Sequence, residues 1–136
     1  MDGQGKTILV VDDQESNRRL MADILAQAQY RVHQAADGFE ALDRLRQTRY
    51  AAVVTDWDMP RVNGKGLVTL ARFLWPETPI IIVSGQAKPS SVGELRGAYG
   101  WLQKPFAIRD LLQLLTQAID AGAHQHCDES MRTASA

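Results

Sequence analysis

Five polar residues stand just behind short apolar runs. Asp12 and Asp13 follow the run 8–11, Asp56 follows 51–54, Ser84 follows 80–83, and Lys104 follows 99–102. If those runs are strands of one parallel sheet, the five side chains gather at one rim, because ligands of open α/β sheets bind at the carboxyl ends of the strands where strand order reverses. With the first and third strands adjacent, about 4.8 Å apart, three carboxylates crowd together. Two unit charges 4 Å apart repel by roughly 4 kcal/mol at an effective dielectric of 20. The repulsion has to be offset by a raised pKa, a bound cation or an ammonium. An all-oxygen cluster with few protein ligands is the kind of site Mg²⁺ prefers, and Lys104 supplies the ammonium. A carboxylate can be a nucleophile and form an aspartyl phosphate. Such a transfer needs mainly positioning and neutralisation of the equatorial oxygens, for which the metal, Lys104 and the Ser84 hydroxyl are suited. It needs no general base, since a carboxylate is ionised at pH 7.

The elements that must position these residues alternate between strand and helix patterns. The run 8–11 is continuously apolar, as in a strand covered on both faces. Leu20, Met21, Ile24, Leu25 and Ala28 recur at helical spacing over 15–28. The segment 31–35 is a polar-mixed strand suited to an edge. Asp37, with Glu40 three residues on, opens a helix through about Gln47. Leu67, Leu70, Ala71 and Leu74 mark a third helix, ended by Trp75-Pro76. A fourth helix over 88–96 carries Pro89 and Gly93 and few apolar anchors. Ile108, Leu111, Leu112, Leu115 and Ile119 form the last amphipathic helix. These five β-then-α units predict a doubly wound parallel sheet with right-handed crossovers and helices on both faces. Residues 6–121 form the domain. The chain turns polar and aperiodic after Ala121, so 122–136 reads as a tail or linker.

The whole chain has 136 residues, 45% hydrophobic and 23% charged, with a net charge of −1. This is the balance of one ordinary globular domain, and it gives no electrostatic reason to expect nucleic-acid or membrane binding. The single cysteine, Cys127, excludes an internal disulfide, and no apolar run approaches the roughly 20 residues that span a bilayer. The N-terminus lacks the apolar segment of a signal peptide, and a cytoplasmic location is expected.

Taken together, the motifs resemble response regulator receiver domains of two-component signalling. The resemblance rests on 8–13, on Ala36-Asp37-Gly38-Phe39-Glu40-Ala41-Leu42, on Thr55-Asp56-Trp57-Asp58-Met59-Pro60 with Gly64, on Val83-Ser84-Gly85, and on Gly97-Ala98 through Lys104-Pro105-Phe106. It covers about residues 6–120. It implies a flavodoxin-like sheet of five strands in the order 2-1-3-4-5 with five helices, and it assigns roles. Asp56 would be the phosphoacceptor. Asp13 and Asp56 would bind Mg²⁺ directly, Asp12 through water, and the Asp58 backbone carbonyl would complete the protein's share. Lys104 would contact the phosphoryl group, Ser84 would swing toward it, and Trp101 would turn inward as Ser84 moves. Lys104-Pro105 would be cis. The implied partners are a histidine kinase or histidine phosphotransfer domain as donor and a downstream target protein or output domain. The face of the fourth helix, fifth strand and last helix is the family's usual output and homodimer surface. The chain departs from the common pattern in its indole at 101, its short segment from 84 to 104, and the acidic residue at 58.

Other readings fit parts of the pattern. Asp12-Asp13 alone reads as a helix-start pair, and Lys104-Pro105 alone as turn chemistry. Asp56-Trp57-Asp58 is also similar to the nucleophile motif of haloacid-dehalogenase-type phosphatases. A phosphorylation-independent adaptor could use the same fold. Gly5-Lys6-Thr7 precedes the first strand and so is no P-loop. His124, His126 and Cys127 lack a second ligand cluster and read as tail residues. Arg18 and Arg19, like Arg44, Arg46 and Arg49, are read as solvated helix faces, with the first pair also a docking candidate for the phosphodonor.

Overall fold

The most strongly apolar runs form the centre of a parallel sheet. The computed structural model describes residues 5–57, 64–85 and 98–127. In chain order these form β1 (Thr7–Val11), α1 (Glu15–Gln27), β2 (Arg31–Ala35), α2 (Gly38–Gln47), β3 (Ala52–Asp56), α3 (Gly64–Leu74), β4 (Ile80–Ser84), β5 (Gly100–Gln103) and α4 (Ile108–Cys127). The strands lie in the order β2-β1-β3-β4-β5, all parallel, with Ile8 opposite Ala52, Val54 opposite Ile81 and Val83 opposite Leu102. The order and the parallel sense are those expected. The helix expected over 88–96 lies outside the described residues.

Side chains alternate across the sheet with a period of two, which divides the core into two layers. Leu9, Val11, Val53, Ile80 and Ile82 pack with Ala41 and Leu45 of α2 and Leu67 and Ala71 of α3. Ile8, Val10, Val54, Ile81 and Val83 pack with Leu25 of α1 and Leu111, Leu115 and Ala118 of α4. Helices on both faces explain why the strands read as unbroken apolar runs.

Local chemistry sets the helix ends. Asp37 Oδ1 accepts from the Glu40 backbone N–H at 2.8 Å, and Glu40 Oε1 accepts from the Ala36 N–H at 2.7 Å. This is a capping box that reaches one residue further back than usual. The exit of α1 turns on Gln29, whose φ of 77° is left-handed. There the N–H of Tyr30 bonds back to the Leu25 carbonyl, closing the helix as glycine usually does.

Three sequence expectations change. The buried stripe of α1 runs through Ala22, Leu25 and Ala28, which leaves Leu20 61% exposed. The stripe of α3 runs through Leu67, Val68 and Ala71, so Leu70 and Leu74 are exposed, as is Ile108 at the first turn of α4. A helical period shows which residues recur, but the neighbouring layer selects which of them are covered. Helix α4 continues to Cys127, past the point where apolar periodicity fades. Among the described residues no helix is long and apolar enough to cross a membrane.

Candidate phosphoacceptor site

The sheet's hydrogen-bond ladder holds the site. Three of the site-bearing strands, β1, β3 and β5, gain one further rung beyond their ends. The Asp12 N–H donates to the Ala35 carbonyl at 3.1 Å, the Trp57 N–H to the Val83 carbonyl at 3.1 Å, and the Lys104 N–H to the Ser84 carbonyl at 2.7 Å. The backbone around Asp12, Asp56, Ser84 and Lys104 is therefore fixed by neighbouring strands at one rim. Asp56 and Ser84 are the last residues of β3 and β4. The Lys104-Pro105 bond is cis, as expected.

Asp12, Asp13 and Asp56 each present a carboxylate oxygen, all within 4.8 Å of one another. Asp12 is 8% exposed, Asp56 is half-buried and Asp13 is open to solvent. Lys104 Nζ lies 3.9 Å from Asp12 Oδ2 and 3.8 Å from Asp56 Oδ1. These distances exceed a hydrogen bond and bring one ammonium close to two carboxylates. Asp12 Oδ1 accepts from the Gln14 N–H at 2.9 Å, so one oxygen serves the local turn while the other faces Lys104. Asp12 thus closes the turn ahead of α1, and its bond reaches no N–H of the helix itself. The cap of α1 is Gln14, whose side chain does not cap it.

Burial pushes the Asp56 carboxyl up to about 6; Lys104 and the Trp57 N–H oppose this, while the charges of Asp12 and Asp13 add to it. Burial also raises Asp12, against the Gln14 hydrogen bond and Lys104. One lysine does not neutralise three acids, and the donors are all oxygens. This set fits a hard divalent cation such as Mg²⁺.

Ser84 is buried, at 1% exposure, at the same rim. Trp101 is half-buried, and its ring lies 5.0 Å from that of Trp57 at an interplanar angle of 59°. Asp58 lies outside the described residues. The sequence reading missed two residues. Trp57 was seen only as part of the acceptor motif, yet it packs on the core beside Trp101. Arg18, expected on a solvated helix face or as a docking residue for the phosphodonor, instead donates through Nη1 to the Asp12 carbonyl at 2.9 Å and through Nε to Gln34 Oε1 at 3.1 Å. Nothing in the local sequence separates Arg18 from Arg19, which remains exposed beside Glu15.

The family model of the response regulator receiver domain matches residues 8–126. The response regulator MprA of a Mycobacterium species is 37% identical over 107 residues, which is 77% of this chain and 46% of MprA. The chemotaxis protein CheY4 of Vibrio cholerae has a similar structure, with a TM-score of 0.79 at 34% identity, covering 84% of this chain and 98% of CheY4. The response regulator TrrA of Thermotoga maritima, solved in complex with Mg²⁺-BeF, has a TM-score of 0.78 at 26% identity, covering 83% and 98%. The chain spans 25% to 46% of the length of the curated relatives compared. With the family match, the strand order and the acidic rim in agreement, the chain belongs to the response regulator receiver domains of two-component systems.

Proposed function

We propose that this receiver domain is a phosphoacceptor switch, taking a phosphoryl group onto Asp56 from the phosphohistidine of a histidine kinase or histidine phosphotransfer domain. The observation that carries the reading is the meeting of three carboxylates within 4.8 Å with an ammonium under 4 Å from two of them. In the step, a carboxylate oxygen of Asp56 forms a bond to phosphorus. The P–N bond to the donor histidine breaks, and the departing imidazole nitrogen keeps the electron pair and takes up a proton. Asp13 and Asp56 would hold Mg²⁺ directly, Asp12 through water, with the Asp58 carbonyl as a further ligand. Bound there, the ion supplies charge that offsets both the carboxylates and the phosphoryl oxygens. Lys104 neutralises a second phosphoryl oxygen, and the Ser84 hydroxyl donates to a third.

The domain would catalyse its own phosphorylation and slow dephosphorylation without turning over other substrates. The altered surface would be read by a downstream protein, an output domain or a second copy through β5 and α4. The family match disfavours a dehalogenase-type phosphatase, and the complete acid set with Lys104 disfavours a phosphorylation-independent adaptor.

Acetyl phosphate with Mg²⁺ tests the reading. Wild type is expected to label in a Mg²⁺-dependent way, and Asp56→Asn to lose the label while remaining folded. Labelling that survives the substitution would move the acceptor elsewhere.

A further inference from the structure

The turn between β1 and α1 carries both acidic residues, and its geometry decides where their carboxylates lie. Three of the bonds in this turn are made by Asp12. The Asp12 N–H is tied to the Ala35 carbonyl of β2, Asp12 Oδ1 to the Gln14 N–H, and the Asp12 carbonyl to Arg18 Nη1. The first two come from the turn and the ladder themselves. The third comes from a helix side chain, which also reaches Gln34 Oε1 on the edge strand through Nε. One guanidinium thus bridges α1, the turn and β2.

We propose that Arg18 is a positioning residue for the acidic site, holding the Asp12 carbonyl so that Asp12 and Asp13 present their oxygens beside Asp56 before a cation arrives. The inference rests on the reading of the rim as a divalent-cation site and deepens it. Three like charges tend to spread apart; Lys104 offsets part of that repulsion, and a turn held from outside helps to keep the acids converged. Asp13 lacks the burial of Asp12 and takes its direction from the backbone that Arg18 fixes. The planar fork of arginine has two donors aimed in fixed directions, and it serves the Asp12 carbonyl and Gln34 at once. A lysine reaches only one of the two. Arg18 and Arg19 therefore have different jobs. Arg18 is used within the domain, and Arg19 faces solvent with a 3.7 Å contact to Glu15.

The test titrates the full chain with MgCl₂ alone, following tryptophan fluorescence, with folding checked by circular dichroism. Arg18→Met keeps the aliphatic stem and removes the fork; its Mg²⁺ Kd is expected to rise roughly tenfold, the lower end of the range for residues that orient metal ligands. Arg18→Lys is expected to recover part of the loss. Gln34→Leu removes only the other arm of the fork and is expected to give a smaller increase. A merely structural role would lower thermal stability but leave the Kd of the folded protein unchanged. A folded Arg18→Met that binds Mg²⁺ within twofold of wild type overturns the inference. If Arg18→Met does not fold, Gln34→Leu decides: an unchanged Kd overturns the inference. A wild-type protein that binds no Mg²⁺ overturns instead the metal-site reading on which it rests.

Discussion

Trp57 and Trp101 stand with ring centroids 5.0 Å apart, joining the residue after Asp56 at the end of β3 to the middle of β5. Strand β4 lies between them, and the rings meet over it on the α2 and α3 face of the sheet. A change at the Asp56 carboxylate is thus one residue from an aromatic contact that reaches the sheet's far edge. Mg²⁺ with beryllofluoride should change the intrinsic fluorescence. Trp57→Phe or Trp101→Phe should remove most of that change. Trp75→Phe should leave it intact, because Trp75 sits beside Glu77 and Thr78 just ahead of β4, at the opposite end of the sheet. A response that persists in the Trp57/Trp101 double variant would separate the aromatic pair from the site.

The titration of Asp56 sets a pH dependence of stability with a definite sign. Its folded carboxyl titrates near 6, against an ordinary value of 3.8. Between these values the native state binds the proton more tightly than the unfolded chain does. In metal-free protein the stability linked to Asp56 is therefore complete below about pH 4 and is lost as pH rises through 6. Asp56→Asn should be more stable than wild type by about 2 kcal/mol at pH 8, with the gap closing as pH falls toward 4. Urea unfolding at several pH values in the presence of EDTA measures this. A gap that widens on acidification would contradict it. Saturating Mg²⁺ at pH 8 should raise wild-type stability by mass action.

Lys104 lies near two of the three acids and is about a third exposed. Lys104→Met should cost about 1 kcal/mol of metal-free stability at pH 8 in low salt, and less in high salt, as expected for a partly screened contact. It should slow acetyl phosphate labelling at least tenfold, because one phosphoryl oxygen loses its counter-charge. Equal labelling rates for variant and wild type would exclude Lys104 from the transfer.

Tyr50 is buried just before β3, and its hydroxyl lies 2.7 Å from His33 Nδ1, with the two rings edge to face. Tyr50→Phe should cost about 1 kcal/mol by removing that hydrogen bond. Phosphorylation should be unchanged, since the pair lies away from the carboxyl ends of the strands. This variant shows what a purely structural loss looks like beside Arg18→Met.

Gln29 holds a left-handed φ of 77° without being glycine or asparagine. Gln29→Gly should stabilise the fold by about 0.5–1 kcal/mol by relieving the Cβ penalty. A lower melting temperature would show that the Gln29 side chain contributes more than its backbone costs.

The sequence by itself determined the strands, their order through the family resemblance, and the meeting of Asp12, Asp13, Asp56, Ser84 and Lys104 at one rim. The strands and the rim follow from short-range rules, while the order came from the resemblance: apolar runs become buried strands, and polar residues just past them fall at strand ends. Tertiary structure decided what depends on neighbours distant in the chain. Leu20 and Leu70 fit a helical period, yet both are exposed, with no layer among the described residues covering them. Arg18 and Arg19 are alike as text, but only Arg18 is brought over the turn and the edge strand, where the Asp12 carbonyl and Gln34 await donors. The pairing of Trp57 with Trp101 required β3, β4 and β5 to be set side by side. Such contacts depend on how separate elements pack, and hydrophobic period and capping chemistry carry no record of that.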